Sequence, residues 1–387
     1  MRQTTKQSIC ALAAALILSA CGNDDSGLQP VEGLQPLASP NSAPSPKQEK
    51  DAQPKPIPAP RKSMPNKAVT PQPVVRAIPQ KSPQHFPVKR CMNMGNALEA
   101  EKEGAWGYTI QAEHFSQIRR AGFDTVRIPI RWDIHTQDRP PHQVAPAFLA
   151  RVKAVTAQAQ RAGLGVILDV HHYETLMKSP GGETAKFLAI WEQISAAFEG
   201  APENIYFEIL NEPMAPMTMD DANRLYARIL PIIRKHHPKR AVIMGGDQWN
   251  SIETMEDVNW PNDPYLVATF HDYGPYEFTH QGATWLSDAP PTGRAWGGKA
   301  DQQELKETYD IARRFKRKTG LPVFVGEFGV VESAPHSERI RWIEMRRKTM
   351  ENEGMSWCVW DFAGAFKTYD VEKRQWLPGM REALTGP

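Results

Sequence analysis

The sequence predicts a (β/α)8 barrel preceded by a Pro-rich tether, and three observations predict it. From Arg90 onward, helical stretches end at a glycine and a short apolar run starts within a few residues. Eight such runs fit into about 300 residues, the length one barrel of this kind takes. The runs are apolar throughout rather than alternating, as parallel strands covered on both faces require.

Ahead of the barrel lie two segments of different composition. Arg2 and Lys6 precede an apolar run over residues 9–20 that is too short for a comfortable permanent membrane span. A basic start, an apolar middle and a small-residue end make an export signal. Its end, Leu18-Ser19-Ala20-Cys21, resembles the bacterial lipoprotein signal, in which the cysteine is acylated and becomes the mature N-terminus. Residues 21–85 follow as a linker, and 15 of the 34 prolines fall between Cys21 and Pro87. Such a segment buries too little apolar surface to offset its ordering entropy, so an extended spacer is expected. Residues 47–90 carry ten Lys and Arg against Glu49 and Asp51, while 91–387 carry a net charge of −5. An acidic folded part argues against nucleic acid as partner. The membrane is then a partner only through the lipid anchor, and the expected address is the cell envelope.

Each predicted element has a local cause. Strands are expected near residues 90–95, 124–128, 164–170, 204–210, 240–245, 265–270, 321–326 and 355–360. Gly122, Gly163, Gly320 and Gly354 stand where helices stop, because glycine takes the left-handed C′ conformation without a Cβ penalty. Pro146 opens a helix whose Phe148, Leu149, Val152 and Val155 share one face, and Phe187, Ile190, Trp191, Ile194 and Phe198 line another. An open doubly wound sheet is the competing architecture, but no Gly-x-Gly-x-x-Gly or Walker-type loop follows any strand. That argues equally against a nucleotide cofactor, and none is expected.

Ionisable and aromatic residues terminate the apolar runs repeatedly. The ends read Arg127, Asp169-Val170-His171-His172-Tyr173, Asn211-Glu212-Pro213, Gln248-Trp249-Asn250, His271-Asp272-Tyr273, Gly326-Glu327-Phe328-Gly329 and Trp360-Asp361. In a barrel, strand C-termini surround one mouth. Glu212 and Glu327, on strands 4 and 7, face each other there. Paired carboxylates are the machinery of glycoside hydrolysis, one as acid and base, the other as nucleophile or base. Arg127 and Tyr273 are suited to hold Glu327 ionised, and the charge on Glu327 should then raise the pKa of Glu212. Tryptophans offer flat faces to sugar rings; Trp132, Trp249 and Trp285 are the candidates, with Trp249 preferred. His171, His172, His271 and Glu212 have donor types that suit zinc, but no ligand spacing supports a metal site, and the histidines are better read as partners of the carboxylates.

These residues resemble glycoside hydrolase family 5, the large cellulase family. Asn211-Glu212-Pro213 is similar to its acid/base motif and Gly326-Glu327-Phe328-Gly329 to its nucleophile motif. Arg127, His171, His271, Tyr273 and Trp360 match its remaining invariant positions. The segments from Cys91 to Ala100, with Asn96, and from Phe278 to Trp285 resemble its bacterial endoglucanases. The resemblance covers roughly residues 90–387, within a catalytic domain taken as 86–387, and implies an endo-β-1,4-glucanase acting on cellulose-type chains; a monomer is expected. A β-1,4-mannanase or another β-glucanase of the family, and a non-catalytic carbohydrate-binding lipoprotein, are the alternatives. Where the family often has glycine, this chain has Cys91, which a closed barrel brings beside Cys358. A disulfide between adjacent parallel strands is geometrically demanding, so two buried free thiols are expected.

Overall fold

The computed structural model describes residues 86–386. The expected signal segment, the acylated Cys21 and the linker lie outside the described residues.

Eight parallel strands close into a barrel in chain order. They are β1 (Arg90–Asn93), β2 (Thr125–Ile128), β3 (Gly165–Asp169), β4 (Ile205–Glu208), β5 (Val242–Gly245), β6 (Leu266–Asp272), β7 (Val323–Phe328) and β8 (Ser356–Val359). Every one falls on a predicted apolar run. The helices form the outer layer: α1 (Ala112–Ala121), α2 (Pro146–Arg161), α3 (Glu174–Lys178), α4 (Pro180–Ala197), α5 (Met219–His236), α6 (Tyr276–Thr279), α7 (Lys299–Thr319), α8 (His336–Asn352) and α9 (Met380–Thr385). The unit between β5 and β6 departs from the expected repeat. A 3-10 turn over Ile252–Asp257 stands there in place of a full helix.

The glycine stops behave as expected. Gly122 and Gly320 cap α1 and α7 with φ of 102° and 70°, and their N–H groups return to carbonyls of the last turn. Buried Phe187, Ile190, Trp191 and Ile194 turn α4 inward.

Alternation along the strands sorts side chains into two regions. Outward residues such as Val126, Val166, Phe207 and Val325 pack under the helices in one large apolar cluster. Inward residues fill the barrel. Its lower part is a small separate cluster of Ile167, Tyr206, Ile243, Val267 and Phe324, closed by Phe86 and Val88 from the segment before β1. Phe86 sets its ring edge-on to Tyr206 and Phe324, with centroids at 5.1 and 5.5 Å. Its upper part is polar, and the change from apolar floor to polar mouth occurs within one layer of side chains.

Cys91 and Cys358 stand directly opposite in the β1–β8 register, with Cα atoms 4.1 Å apart, and form a disulfide. This corrects the expectation of free thiols. General spacing between parallel strands disfavours such a bond, but here both Cβ atoms point into the barrel at the same level.

Two register irregularities shape the mouth. One lies between Phe270 and His271 on the β6–β7 pair, the other between Val325 and Phe328 on β7–β8. Bulges re-aim the side chains that follow them, and these two turn His271 and Glu327 onto the cavity.

Because Phe86 plugs the floor at 4% exposure, Phe86→Ala should lower unfolding free energy by about 3 kcal/mol or more. Urea unfolding would measure it; an unchanged midpoint would mean that the floor is closed without this ring.

Candidate active site

Arg127 lies at the centre of the polar layer with no solvent exposure. Its Nε and Nη2 donate to the two oxygens of Glu208 at 2.7 and 2.9 Å, and Nη2 also donates to Asn211 Oδ1 at 2.6 Å. Nη1 donates to Asn93 Oδ1 at 3.0 Å and to Glu327 Oε1 at 2.8 Å. Asp169 Oδ2 is ion-paired to Nη2 at 2.6 Å. One guanidinium therefore serves three carboxylates. Burial pushes Asp169 up to about 6 and Glu208 upward, and the charge of Arg127 opposes both shifts.

Glu327, the last acidic residue of β7, is held at both oxygens. Arg127 takes Oε1, and the Tyr273 hydroxyl donates to Oε2 at 2.8 Å. Glu212 follows β4 and keeps a quarter of its side chain open to the mouth. Its Oε1 lies 2.6 Å from His271 Nδ1, which is also 3.7 Å from Glu327 Oε2. Oxygens of the two glutamates and this ring nitrogen all lie within 4.8 Å of one another.

Both glutamates are pushed above the usual carboxylate range. For Glu327, burial raises the pKa to about 7 against His271, Arg127 and the Tyr273 hydrogen bond. For Glu212, burial raises it to about 8 against Arg127, helped by the charges of Glu208 and Asp169. The order is the expected one, with Glu212 the better proton holder. Burial is the main cause, the charges of Glu208 and Asp169 add to it on Glu212, and the repulsion between the two glutamates acts on Glu327.

The other predicted residues divide. His171 donates into the same network, with Nδ1 at 3.0 Å from Asp169 Oδ2 and its ring stacked on Trp360 at 5.5 Å. Burial holds its imidazole well below its ordinary pKa, so it is neutral. Trp360 is half-buried and presses on Gly95, where an added Cβ would come within 2.8 Å of the indole. Asn96 donates from Nδ2 to Asp361 Oδ2 at 2.5 Å beside it. His172 reaches neither glutamate and sits edge-on between His171 and Trp106. Trp249 is half-buried in a run, Gln248 to Asn250, whose three residues all have φ between 52° and 58°. Its N–H donates to Pro213 O at 3.2 Å, tying this strained turn to the Glu212 loop. Trp285 is 40% exposed and leans on Phe366 at 5.8 Å. Trp132 is not a stacking platform: it is fully buried, donates Nε1–H to Asp169 O at 3.0 Å and packs against Phe148.

Sequence reasoning placed Asp169 at the mouth and Asn93 and Glu99 in a family-like segment but gave none of them a role, and it missed Glu208. Asn93, Asp169 and Glu208 hold Arg127, and Glu99 accepts from the backbone of Asn96 and Ala97 at the edge of the mouth. Glu208 had a readable signal. A lone carboxylate inside an apolar strand of a covered sheet demands a buried cationic partner, and Arg127 is the corresponding cation two strands away.

Comparison with known proteins agrees with this geometry. The family described as cellulase (glycosyl hydrolase family 5) matches residues 89–365. The chain is 37% identical over 278 residues to Endoglucanase H of Acetivibrio thermocellus, covering 72% of this chain but only 30% of that protein. Thermotoga maritima Cel5A, solved with cellobiose and with mannotriose, superposes in both complexes with a TM-score of 0.75 at 38% identity, over 77% of this chain and 97% of that one. Cellulose synthase subunit Z of Clostridioides difficile does so with a TM-score of 0.75 at 33% identity, over 77% and 99%. With its closed barrel and two glutamates in the mouth, the chain belongs to the cellulase family, glycosyl hydrolase family 5.

Proposed function

We propose that the protein is a retaining endo-β-1,4-glucanase in which Glu327 is the nucleophile and Glu212 the acid and base. The observation that carries this is the separation of the pair, with oxygens of Glu212 and Glu327 inside one 4.8 Å cluster. Retaining enzymes place their carboxyl groups about 5–5.5 Å apart, whereas inverting enzymes leave space for a water between them. Glu327, gripped by Arg127 and Tyr273, attacks the anomeric carbon. Glu212 gives its proton to the departing glycosidic oxygen. Once the glycosyl ester forms, the charge on Glu327 disappears, and ionised Glu212 takes a proton from the incoming water. The half-buried faces of Trp360 and Trp249 and the exposed face of Trp285 supply apolar walls for sugar rings.

A β-1,4-mannan is the second reading. Thermotoga maritima Cel5A, 38% identical to this chain, has been solved with both cellobiose and mannotriose. Rates on carboxymethyl-cellulose, barley β-glucan and mannan separate the two.

The mechanism predicts different behaviour for the two glutamates. Glu327→Ala is expected to be inactive on every substrate. Glu212→Ala should fail on natural glycosides yet still be glycosylated by aryl glycosides whose leaving group needs no proton. Its signature is a burst of phenol followed by slow turnover that azide accelerates. Nuclear magnetic resonance of the first wild-type product should show the β-anomer; an α-anomer would mean inversion and remove Glu327 from the nucleophile's role.

The pH profile follows from the same pair. Activity needs Glu327 ionised and Glu212 protonated, so kcat/KM should rise as Glu327 loses its proton and fall as Glu212 does. Both limbs should lie above the ordinary glutamate range, because burial raises both groups. An acid limb near pH 4 would contradict that cause.

Attachment to the cell envelope through acylated Cys21 is proposed on the sequence Leu18-Ser19-Ala20-Cys21. Among the described residues no helix is long and apolar enough to cross a membrane. Cys21→Ser should abolish incorporation of labelled fatty acid; unchanged labelling would exclude the anchor.

A further inference from the structure

Tyr273 is the one hydroxyl on the nucleophile, yet it stands on the loop just after β6, not on a strand. What fixes its position lies on the far side of the barrel wall. Its two neighbours, Asp272 and Gly274, are both gripped from outside. Asp272 points away from the barrel axis and is 3% exposed. It accepts the Tyr309 hydroxyl of α7 at 2.7 Å and is ion-paired to Arg346 of α8 at 3.1 Å. The carbonyl of Gly274 accepts Trp342 Nε1–H at 2.9 Å and a second N–H of Arg346. Arg346 has no exposure; it is also ion-paired to Glu304 of α7 and lies over the rings of Trp342 and Tyr309 at 5.1 and 5.9 Å. Gly274 has no space for a side chain, since a Cβ there would lie 2.0 Å from Glu304 Oε1. Thr279 Oγ1 closes the loop by donating to the carbonyl of Tyr273 itself at 2.6 Å.

A fully buried arginine paired with a buried Asp272 and a part-exposed Glu304 is a poor way to gain stability, because desolvation offsets much of the attraction. It is a good way to fix geometry. Nη2 donates to both the Gly274 carbonyl and Glu304 while Nη1 is ion-paired to Asp272, and a group with no exposure has no solvent to replace these contacts. Here the arrangement fixed is that of the two residues either side of Tyr273.

We propose that Arg346, with Tyr309, is a positioning residue for the nucleophile: it holds Asp272 and Gly274 so that the Tyr273 hydroxyl meets Glu327 Oε2. The inference rests on the assignment of Glu327 above. It assigns a catalytic consequence to a charge cluster that touches neither substrate nor glutamate. The phenol stabilises ionised Glu327 by donating to it, so a misplaced phenol makes Glu327 hold its proton longer. The charged and titratable groups facing this pair are Arg127 on β2, Glu212 after β4, His271 on β6, His280 after α6 and Asp361 after β8. Arg346 has other neighbours: Asp272, Glu304, Tyr309, Trp342 and the Gly274 carbonyl.

A double-mutant cycle in the full-length enzyme tests this. Arg346→Met should lower kcat about tenfold on a soluble β-glucan with little change in KM, and move the acid limb of kcat/KM up by about one pH unit. Tyr273→Phe should move the limb the same way. In the Tyr273→Phe background, Arg346→Met should move it no further. Equal, additive shifts in the two backgrounds would make Arg346 merely structural and overturn the proposal. If circular dichroism shows Arg346→Met unfolded, Tyr309→Phe, which removes a single hydroxyl, takes its place in the cycle with a smaller shift in the same direction. A normal Tyr273→Phe enzyme would remove the role of Tyr273 and the inference with it. A fully impaired Tyr273→Phe enzyme beside an inert Arg346→Met would sink the inference alone.

Discussion

The site depends on an imbalance of buried charge around Arg127. A single cation with no solvent contact meets Asp169, Glu208 and Glu327, and Glu212 lies above them. Water cannot screen this group, so every added proton is shared among acids that cannot all ionise at once. Glu208, Asn211 and Asn93 take four of the guanidinium's five N–H groups, which leaves one for Glu327. Glu327 is thus held by part of a cation, and Glu212 by none of it directly. Arg127 favours the charged form of both glutamates; what sets them apart is the Tyr273 hydrogen bond that favours ionised Glu327 and the charges of Glu208 and Asp169 that act against ionised Glu212.

Geometry gives the two glutamates different surroundings. Glu327 leaves β7 at an irregular register and is met by donors at both oxygens. Glu212 leaves β4 on a loop and has an imidazole on one side and the open mouth on the other. His271 touches Glu212 closely and Glu327 at longer range, while burial keeps its own pKa low. A neutral ring can bond to a carboxyl group in either protonation state, which a fixed cation would not permit.

How much of this could be read from the chain depended on whether a signal was local. The strands were legible because their apolar runs are bounded by glycines and polar ends within a few residues, and the two glutamates because they terminate such runs. Trp132 misled because its residue type says nothing about which side of a loop it faces; the indole was committed to Asp169 O within the core. The missing helix between β5 and β6 left no mark, since Gln248 to Asn250 in left-handed conformations have ordinary side chains. The grip of Arg127 on Glu208 spans 81 residues, and Arg346 meets Asp272 across a similar stretch. Such pairs are set by barrel register, which periodicity alone does not supply. The cysteines failed for the same reason: neighbouring strands were expected, but not the level at which two side chains would meet.

The bond between Cys91 and Cys358 has a consequence for the topology of the chain. It spans 267 residues and joins the first strand to the last, so the barrel is a covalent ring as well as a hydrogen-bonded one. The β1–β8 seam is the contact of greatest sequence separation, and in an open chain it carries a large closure entropy. With the ring sealed, a cut in any surface loop between β1 and β8 leaves the two pieces tethered and the seam in register. Asn93, one layer above the bond, bridges that seam from β1 to the carbonyls of Gly326, Cys358 and Val359 and also receives Arg127. The guanidinium is therefore anchored to a place where the wall cannot come apart, and the backbone can lose continuity in a surface loop without the mouth losing its alignment.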